Sequence, residues 1–178
     1  ISLFDLIIGG MVNSSLVPVF SDYAPKERRS ELWGVLSMVL SAATVLLLVV
    51  VGIVEIFTPQ IAWLIGARNF TDPALTAVSI RLMRLAAPAV LFMSIASILT
   101  GALYALKRFA IPAFIGAVLN GTIVAAALLR PNHVESLVWG LLAGSFLQIV
   151  LQLPALRDAR LRWQLNLHHP AKIGRAHV

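Results

Sequence analysis

Cysteine is absent from this 178-residue chain, and charged residues make up only 12% of it. Without cysteine, the chain forms neither disulfides nor thiolate metal sites. The low charge content excludes an ordinary soluble domain, in which about a quarter of the residues are charged. Acidic residues are fewer than basic ones: the chain has eight Asp and Glu and fourteen Lys and Arg, for a formal net charge of +6. The basic residues fall in loop-sized gaps, so they indicate membrane topology and anionic lipid headgroups rather than nucleic acid.

Sequence patterns of catalysis and of cofactor binding are lacking as well. We find no Gly-rich phosphate loop, no nucleophile–base set and no paired aspartates of a membrane glycosyl- or prenyl-transferase. His168-His169 is a histidine pair without a third ligand at metal spacing. The sequence therefore predicts that the chain is not an enzyme and that it carries no metal or cofactor.

Long apolar runs are what the chain has in abundance, with 59% hydrophobic residues. Several uncharged runs approach the roughly 20 residues that cross a hydrocarbon core of about 30 Å. They predict an all-α, polytopic membrane bundle of about five transmembrane helices, near residues 3–21, 32–57, 73–106, 109–130 and 135–157. Thr58-Pro59 is expected to end the second helix. Thr71 or Asp72 is expected to cap the third, with Pro73 in its first turn.

The basic residues of the loops alternate along the chain. Residues 21–31 hold three Lys and Arg, the gap at Arg68 one, Lys107-Arg108 two, the loop at Arg130 one, and residues 157–162 three. The first, third and fifth of these segments hold eight basic residues and the other two hold two. Because short basic loops stay on the cytoplasmic side, we expect those three segments to be cytoplasmic and Arg130 to be outside.

Arg81, Arg84 and Glu55 are charged residues close to predicted spans. The two arginines are three residues apart, so they share one face of a helix, and Glu55 lies at the same end of the preceding helix. One interpretation is interfacial snorkelling with a structural ion pair. The other is a cationic wall for an anionic substrate, since the guanidinium group binds phosphate through two hydrogen bonds. With one carboxylate for two arginines, we expect one positive charge to remain.

Uncharged polar residues inside the predicted spans are the other candidates. Asn13 and Ser14 lie in a small, polar stretch that fits either helix packing or the lining of a polar cavity. Asn120 lies near mid-membrane, where a hydrogen bond between helices is favoured over a substrate contact. Gln148 and Gln152 share one face of the last helix and receive the same interpretation.

Four stretches carry a resemblance to a known family. They are GGMVNSSLVPVFSDY from Gly9, LMRLAAPAVLF from Leu82, RFAIPAFIGAVLN from Arg108 and LQLPALR from Leu151. In this order they resemble the MurJ/MviN family of lipid II flippases, relatives of the multidrug exporters and polysaccharide flippases. Phe4-Asp5 and Gly9 occupy positions where many members carry arginines and a glutamate.

This resemblance implies an inner-membrane transporter of two helical lobes around a cationic cavity. Such a protein turns undecaprenyl-linked peptidoglycan precursor, a lipid-linked anionic substrate, toward the outer face of the membrane by alternating access. It implies that residues 1–171 are part of the N-terminal lobe, with 158–171 a cytoplasmic connection and the first helix and second lobe outside the fragment. Residues 172–178 resemble a translated sequencing adaptor, and we exclude them from fold reasoning as an artefact.

Other functions remain open from the sequence. A flippase for another polyprenyl-linked glycan and a cation-coupled drug exporter would share the fold, and so would a non-transporting membrane scaffold built on the same lobe.

Overall fold

A computed structural model describes residues 10–25, 28–66 and 72–157 of the chain, without the side chains of residues 10–15, 29 and 157. Helices make up nearly all of these residues. In chain order they are α1 Gly10–Asp22, α2 Arg29–Ile65, α3 Pro73–Ala105, α4 Ala110–Leu129 and α5 Glu135–Arg157. The predicted all-helical fold is confirmed for this part of the chain.

Four of these helices, α2 to α5, are long and apolar enough to cross a membrane. The described part of α1 has 13 residues, too few to span alone. Many large apolar side chains on α2 and α4 are exposed, among them Leu46, Ile56, Phe114 and Leu128. Exposed apolar surface on this scale is typical of helices that have lipid or other protein as their neighbour. The helices therefore support the predicted membrane bundle.

The second helix continues beyond its predicted end. Thr58-Pro59 was expected to close it, but α2 passes through Pro59 and ends at Ile65. The proline removes one backbone donor, a loss that apolar helices tolerate when the rest of the hydrogen-bond ladder persists. The stop is Gly66, whose φ of 141° suits glycine and whose N–H still donates to the Ala62 carbonyl at 3.3 Å. Glycine, and not proline, sets the end of this helix.

Helix α3 begins as the sequence predicts and ends in a specific turn. Asp72 caps it by accepting a 2.8 Å hydrogen bond from the Ala74 N–H, and Pro73 follows in the first turn. At the other end, the N–H of Arg108 donates to the Leu103 carbonyl at 2.8 Å, and that of Lys107 donates to the Tyr104 carbonyl at 2.9 Å. Lys107 has a φ of 59°. This hydrogen-bond pair is a Schellman motif, with lysine in the left-handed position that glycine usually fills.

The packing places α3 at the centre of the described bundle. It contacts α1 and α2 on one side and α5 on the other, while α5 also packs along the length of α4. The core where these helices meet is leucine- and alanine-rich, and its buried members include Phe20, Leu36, Leu99, Leu103 and Leu156. Helix α5 thus joins the central helix to α4, and its two faces hold most of the polar contacts described next.

Candidate functional site

Two arginines of α3, three residues apart, connect it to two different helices. The Nη1 of Arg81 lies 3.2 Å from the Oε1 of Glu135, the first residue of α5. The Nε of Arg84 lies 3.9 Å from the Oε2 of Glu55 on α2, near the outer limit for an ion pair. The Arg81 side chain is 73% exposed and that of Arg84 is 50% exposed. Three helices are therefore linked by charge at one end of the bundle.

Glu135 changes the charge balance that the sequence suggested. One carboxylate for two arginines would leave one positive charge, whereas the structure gives each arginine its own carboxylate. From the sequence, a carboxylate partner was expected on the adjacent helix α2 only, and Glu135 was missed. A signal was present: a helix N-terminus attracts an acidic residue, and the alternation of spans places that N-terminus at the same membrane face as Arg81. The prediction of a net positive charge among these residues was wrong.

A polar centre lies between α3, α4 and α5. The Nε2 of Gln148 donates to the Ile115 carbonyl of α4 at 3.0 Å. The Nε2 of Gln152 donates to the Ala96 carbonyl of α3 at 3.2 Å, and its Oε1 accepts from the Thr100 hydroxyl at 3.1 Å. Both glutamine side chains are buried. The predicted interhelical hydrogen bonds of these glutamines are confirmed, and they join α5 to both of its neighbours.

Asn120 has a different role from the one expected. Its Nδ2 donates to the Gly116 carbonyl one turn earlier on its own helix, at 2.9 Å, and the residue is exposed. The expected interhelical hydrogen bond is absent among the described residues, because Asn120 lies on a face of α4 that α5 does not cover. The side chains of Asn13 and Ser14, the remaining candidates, lie outside the described residues.

Helix α2 holds buried polar atoms that the sequence analysis did not single out. Within the described residues, the hydroxyl oxygens of Ser41 and Thr44 and the indole nitrogen of Trp33 have no hydrogen-bond partner. Ser41 and Thr44 are three residues apart and share one face of α2. Their spacing was a readable signal, but runs of leucine and valine surround them. They mark a face of α2 with unused hydrogen-bonding capacity.

At the opposite end of the bundle, a basic turn contacts α5. Nη1 of Arg108, in the turn between α3 and α4, donates to the carbonyl of Ala155. Ala155 lies on α5, two residues before Arg157, the last residue described for that helix. Arg108, expected to determine topology, thus also holds the α3–α4 turn against α5.

Similarity to known proteins extends over nearly the whole chain. The family model described as lipid II flippase MurJ matches residues 2–177. The match runs into residues 172–177, so their assignment to an artefact stays a prediction. Among curated relatives, a probable lipid II flippase MurJ of Rickettsia prowazekii is 24% identical over 164 residues, 89% of this chain and 32% of that protein. The lipid II flippase MurJ of Burkholderia cenocepacia is 26% identical over 155 residues, 83% of this chain and 30% of that protein.

A third relative, the probable lipid II flippase MurJ of Buchnera aphidicola, is 26% identical over 164 residues. The chain spans about a third of the length of these relatives. The family model matches nearly all of its residues. The long apolar helices and the hydrogen bonds that the glutamines form between them agree with this match. The chain belongs to the lipid II flippase MurJ family.

Proposed function

We propose that this chain forms part of a transporter that moves lipid II across the bacterial cytoplasmic membrane by alternating access. The family match over residues 2–177 is the observation that carries the proposal. Four helices long enough to span a bilayer support it. The half-exposed guanidinium group of Arg84 suits a lipid-linked anionic substrate, because one guanidinium donates two parallel hydrogen bonds to phosphate oxygens. In this proposal the chain moves its substrate and does not transform it chemically.

Within this proposal, Arg84 is the residue that meets the substrate phosphate. Its contact with Glu55 is long, at 3.9 Å, and half of its side chain is exposed. A pair of this kind contributes little to stability, because solvent screens it and both side chains lose entropy. A pyrophosphate group can therefore displace Glu55 from Arg84 at small cost. Arg81 keeps its shorter contact with Glu135, at 3.2 Å.

The test is complementation of a strain depleted of its own flippase, with a full-length protein carrying this segment. Arg84→Ala and Arg84→Lys should both fail to support growth, because lysine keeps the charge but not the paired hydrogen bonds. Arg81→Lys should support growth, because a single ion pair survives that change. Arg28→Ala is the matched control, since Arg28 is an exposed arginine paired with Glu31 at the opposite end of α2.

Membrane levels of every variant are measured by immunoblotting, so that loss of function is separated from loss of protein. Growth of the Arg84→Ala strain at normal protein level would eliminate Arg84 as a substrate contact. Failure of the unaltered protein to restore growth, with direct assays showing no lipid II at the outer face, would overturn the proposed function itself.

A further inference from the structure

A cavity of about 330 Å³ lies where α4 ends and α5 begins. Three apolar side chains line it, those of Ala126, Leu129 and Trp139, together with Arg130 and Ser136. The apolar wall comes from the last turns of α4 and the first turns of α5, and the cation comes from the residue that follows α4. The cavity therefore has an apolar wall within the spans and a charged residue, Arg130, at its rim.

Its position coincides with a boundary between membrane and water. Helix α4 is uncharged from Ala110 to Leu129, and Arg130 is the first charged residue beyond it. A cation cannot rest cheaply in hydrocarbon, so Arg130 marks the level at which the chain leaves it. Trp139 is 55% exposed, and tryptophan is enriched at headgroup level. Both observations place the mouth of the cavity among lipid headgroups.

Arg130 is distinguished from the neighbouring arginines by its surroundings. Arg81 and Arg84 each lie within ion-pair distance of a carboxylate. The carboxylate nearest to Arg130 in the sequence is that of Glu135, and it is paired with Arg81. In the described part of the chain, no carboxylate lies within ion-pair distance of the Arg130 guanidinium. The hydroxyl of Ser136 is already used, since it donates to the His133 carbonyl at 2.7 Å. Arg130 is the one group of the rim that carries charge for an incoming anion.

We propose that this cavity is a binding site for an anionic phospholipid of the bilayer. The phosphate group lies against the Arg130 guanidinium, which offers paired hydrogen bonds to phosphate oxygens. One acyl chain lies along Leu129, Ala126 and Trp139. The occupant is a bilayer lipid because two of the three apolar wall side chains are open to the surroundings of the spans: Leu129 is 82% exposed and Trp139 is 55% exposed. The site is separate from the proposed transport function and does not depend on it.

The experiment uses the whole chain in nanodiscs containing a phosphatidylglycerol with a photoactivatable acyl chain, and maps crosslinked peptides by mass spectrometry. Crosslinks should concentrate in the peptides around Arg130 and Trp139. Arg130→Gln should lower their yield about five-fold, the effect of removing one cation near the headgroups. Leu129→Trp should also lower it by filling the cavity, without harming the core, because Leu129 is so exposed. Arg28→Gln, at the other end of the bundle, should change nothing at these peptides.

Competition with unlabelled lipids distinguishes a bilayer phospholipid from a polyprenyl diphosphate as the occupant. Unlabelled phosphatidylglycerol should displace the label, phosphatidylcholine should do so more weakly, and undecaprenyl diphosphate should be no better than phosphatidylglycerol. Crosslinks spread evenly over all spans, or unchanged in both cavity variants, would show annular lipid only and overturn the site. Preferential displacement by undecaprenyl diphosphate would overturn the assignment to a bilayer lipid and give the cavity to the polyprenyl class.

Discussion

Gly144 of α5 lies so close to Thr122 of α4 that a Cβ atom at position 144 would overlap the threonine Oγ1. One turn earlier, a Cβ at Gly140 would lie 2.7 Å from the Cα of Ile123. Small residues four apart allow two membrane helices to approach until their backbones nearly touch. The α4–α5 contact is therefore built on Gly140 and Gly144, a pair that the sequence analysis did not single out.

We expect Gly140→Ala and Gly144→Ala to destabilise the protein, by about 1–3 kcal/mol each, because an added methyl group overpacks this contact. The midpoint of unfolding in mixed micelles of increasing dodecyl sulfate content measures the effect. Gly121→Ala on α4 is the matched control, since its Cβ would meet open space. If Gly144→Ala unfolds at the same midpoint as the control, the close approach of α4 and α5 is wrong.

The two glycines should differ in how they can be rescued. The obstacle at Gly144 includes a side-chain oxygen, so Thr122→Ala in the same chain should recover part of the loss. At Gly140 the obstacles include the Ile123 Cα and the Thr122 carbonyl, at 2.7 Å and 2.9 Å, and backbone atoms cannot be removed. In the double variant Gly140→Ala/Thr122→Ala, the loss of stability should therefore equal the sum of the losses of the two single variants. Equal rescue at both positions would contradict this geometry.

Gln152→Leu should lower stability by roughly 1 kcal/mol, the scale of hydrogen bonds between membrane helices. The substitution removes the donor to the Ala96 carbonyl and the acceptor of the Thr100 hydroxyl. Thr100→Val in the Gln152→Leu background should add less than it does alone, because their shared hydrogen bond is already lost. Gln60→Leu, on the exposed side of α2, serves as the control and should be near neutral. Strictly additive effects of Gln152→Leu and Thr100→Val would rule out the coupling.

Replacing Lys107 by glycine should stabilise the α3–α4 turn by about 1 kcal/mol, because glycine adopts the left-handed conformation without the Cβ penalty. Lys107→Ala removes the same charge and keeps the strain, so it is the natural comparison. The same unfolding assay should rank glycine above lysine and alanine. An alanine variant as stable as the glycine variant would show that the φ of 59° carries no strain.

Topology can be tested on a clean background, since the chain has no native cysteine. A cysteine at Asn132 should react with an impermeant maleimide in intact cells, and a cysteine at Lys107 should react only after the cells are opened. Both residues are exposed in the structure, so burial does not protect either thiol. The reverse labelling pattern would invert the orientation derived from the basic residues.

Much of the architecture was decided by the sequence, because spanning a bilayer imposes constraints that are local in the chain. The uncharged runs set the number and order of the helices. Asp72 and Pro73 set where α3 begins, and the glutamines of α5 had to find partners because an unsatisfied amide is costly away from water. The family resemblance followed from the same stretches. In each case the residues that determine the feature are neighbours in sequence, as in the apolar runs and the α3 cap, or can be satisfied in only one way, as the buried glutamines are by hydrogen bonds to other helices.

Only the tertiary structure decided which helices meet. The charge balance around Arg81 depended on Glu135, whose approach to α3 follows from the packing of α5 and not from sequence distance. Asn120 lies outside the face of α4 that packs on α5, since Gly140 and Gly144 contact the face that holds Thr122, Ile123 and Ala126. Arg108 reaches the last turn of α5 because the α3–α4 turn lies beside it. Each of these outcomes depends on the rotation of one helix against another, which apolar periodicity alone leaves undetermined when every face of a helix is apolar.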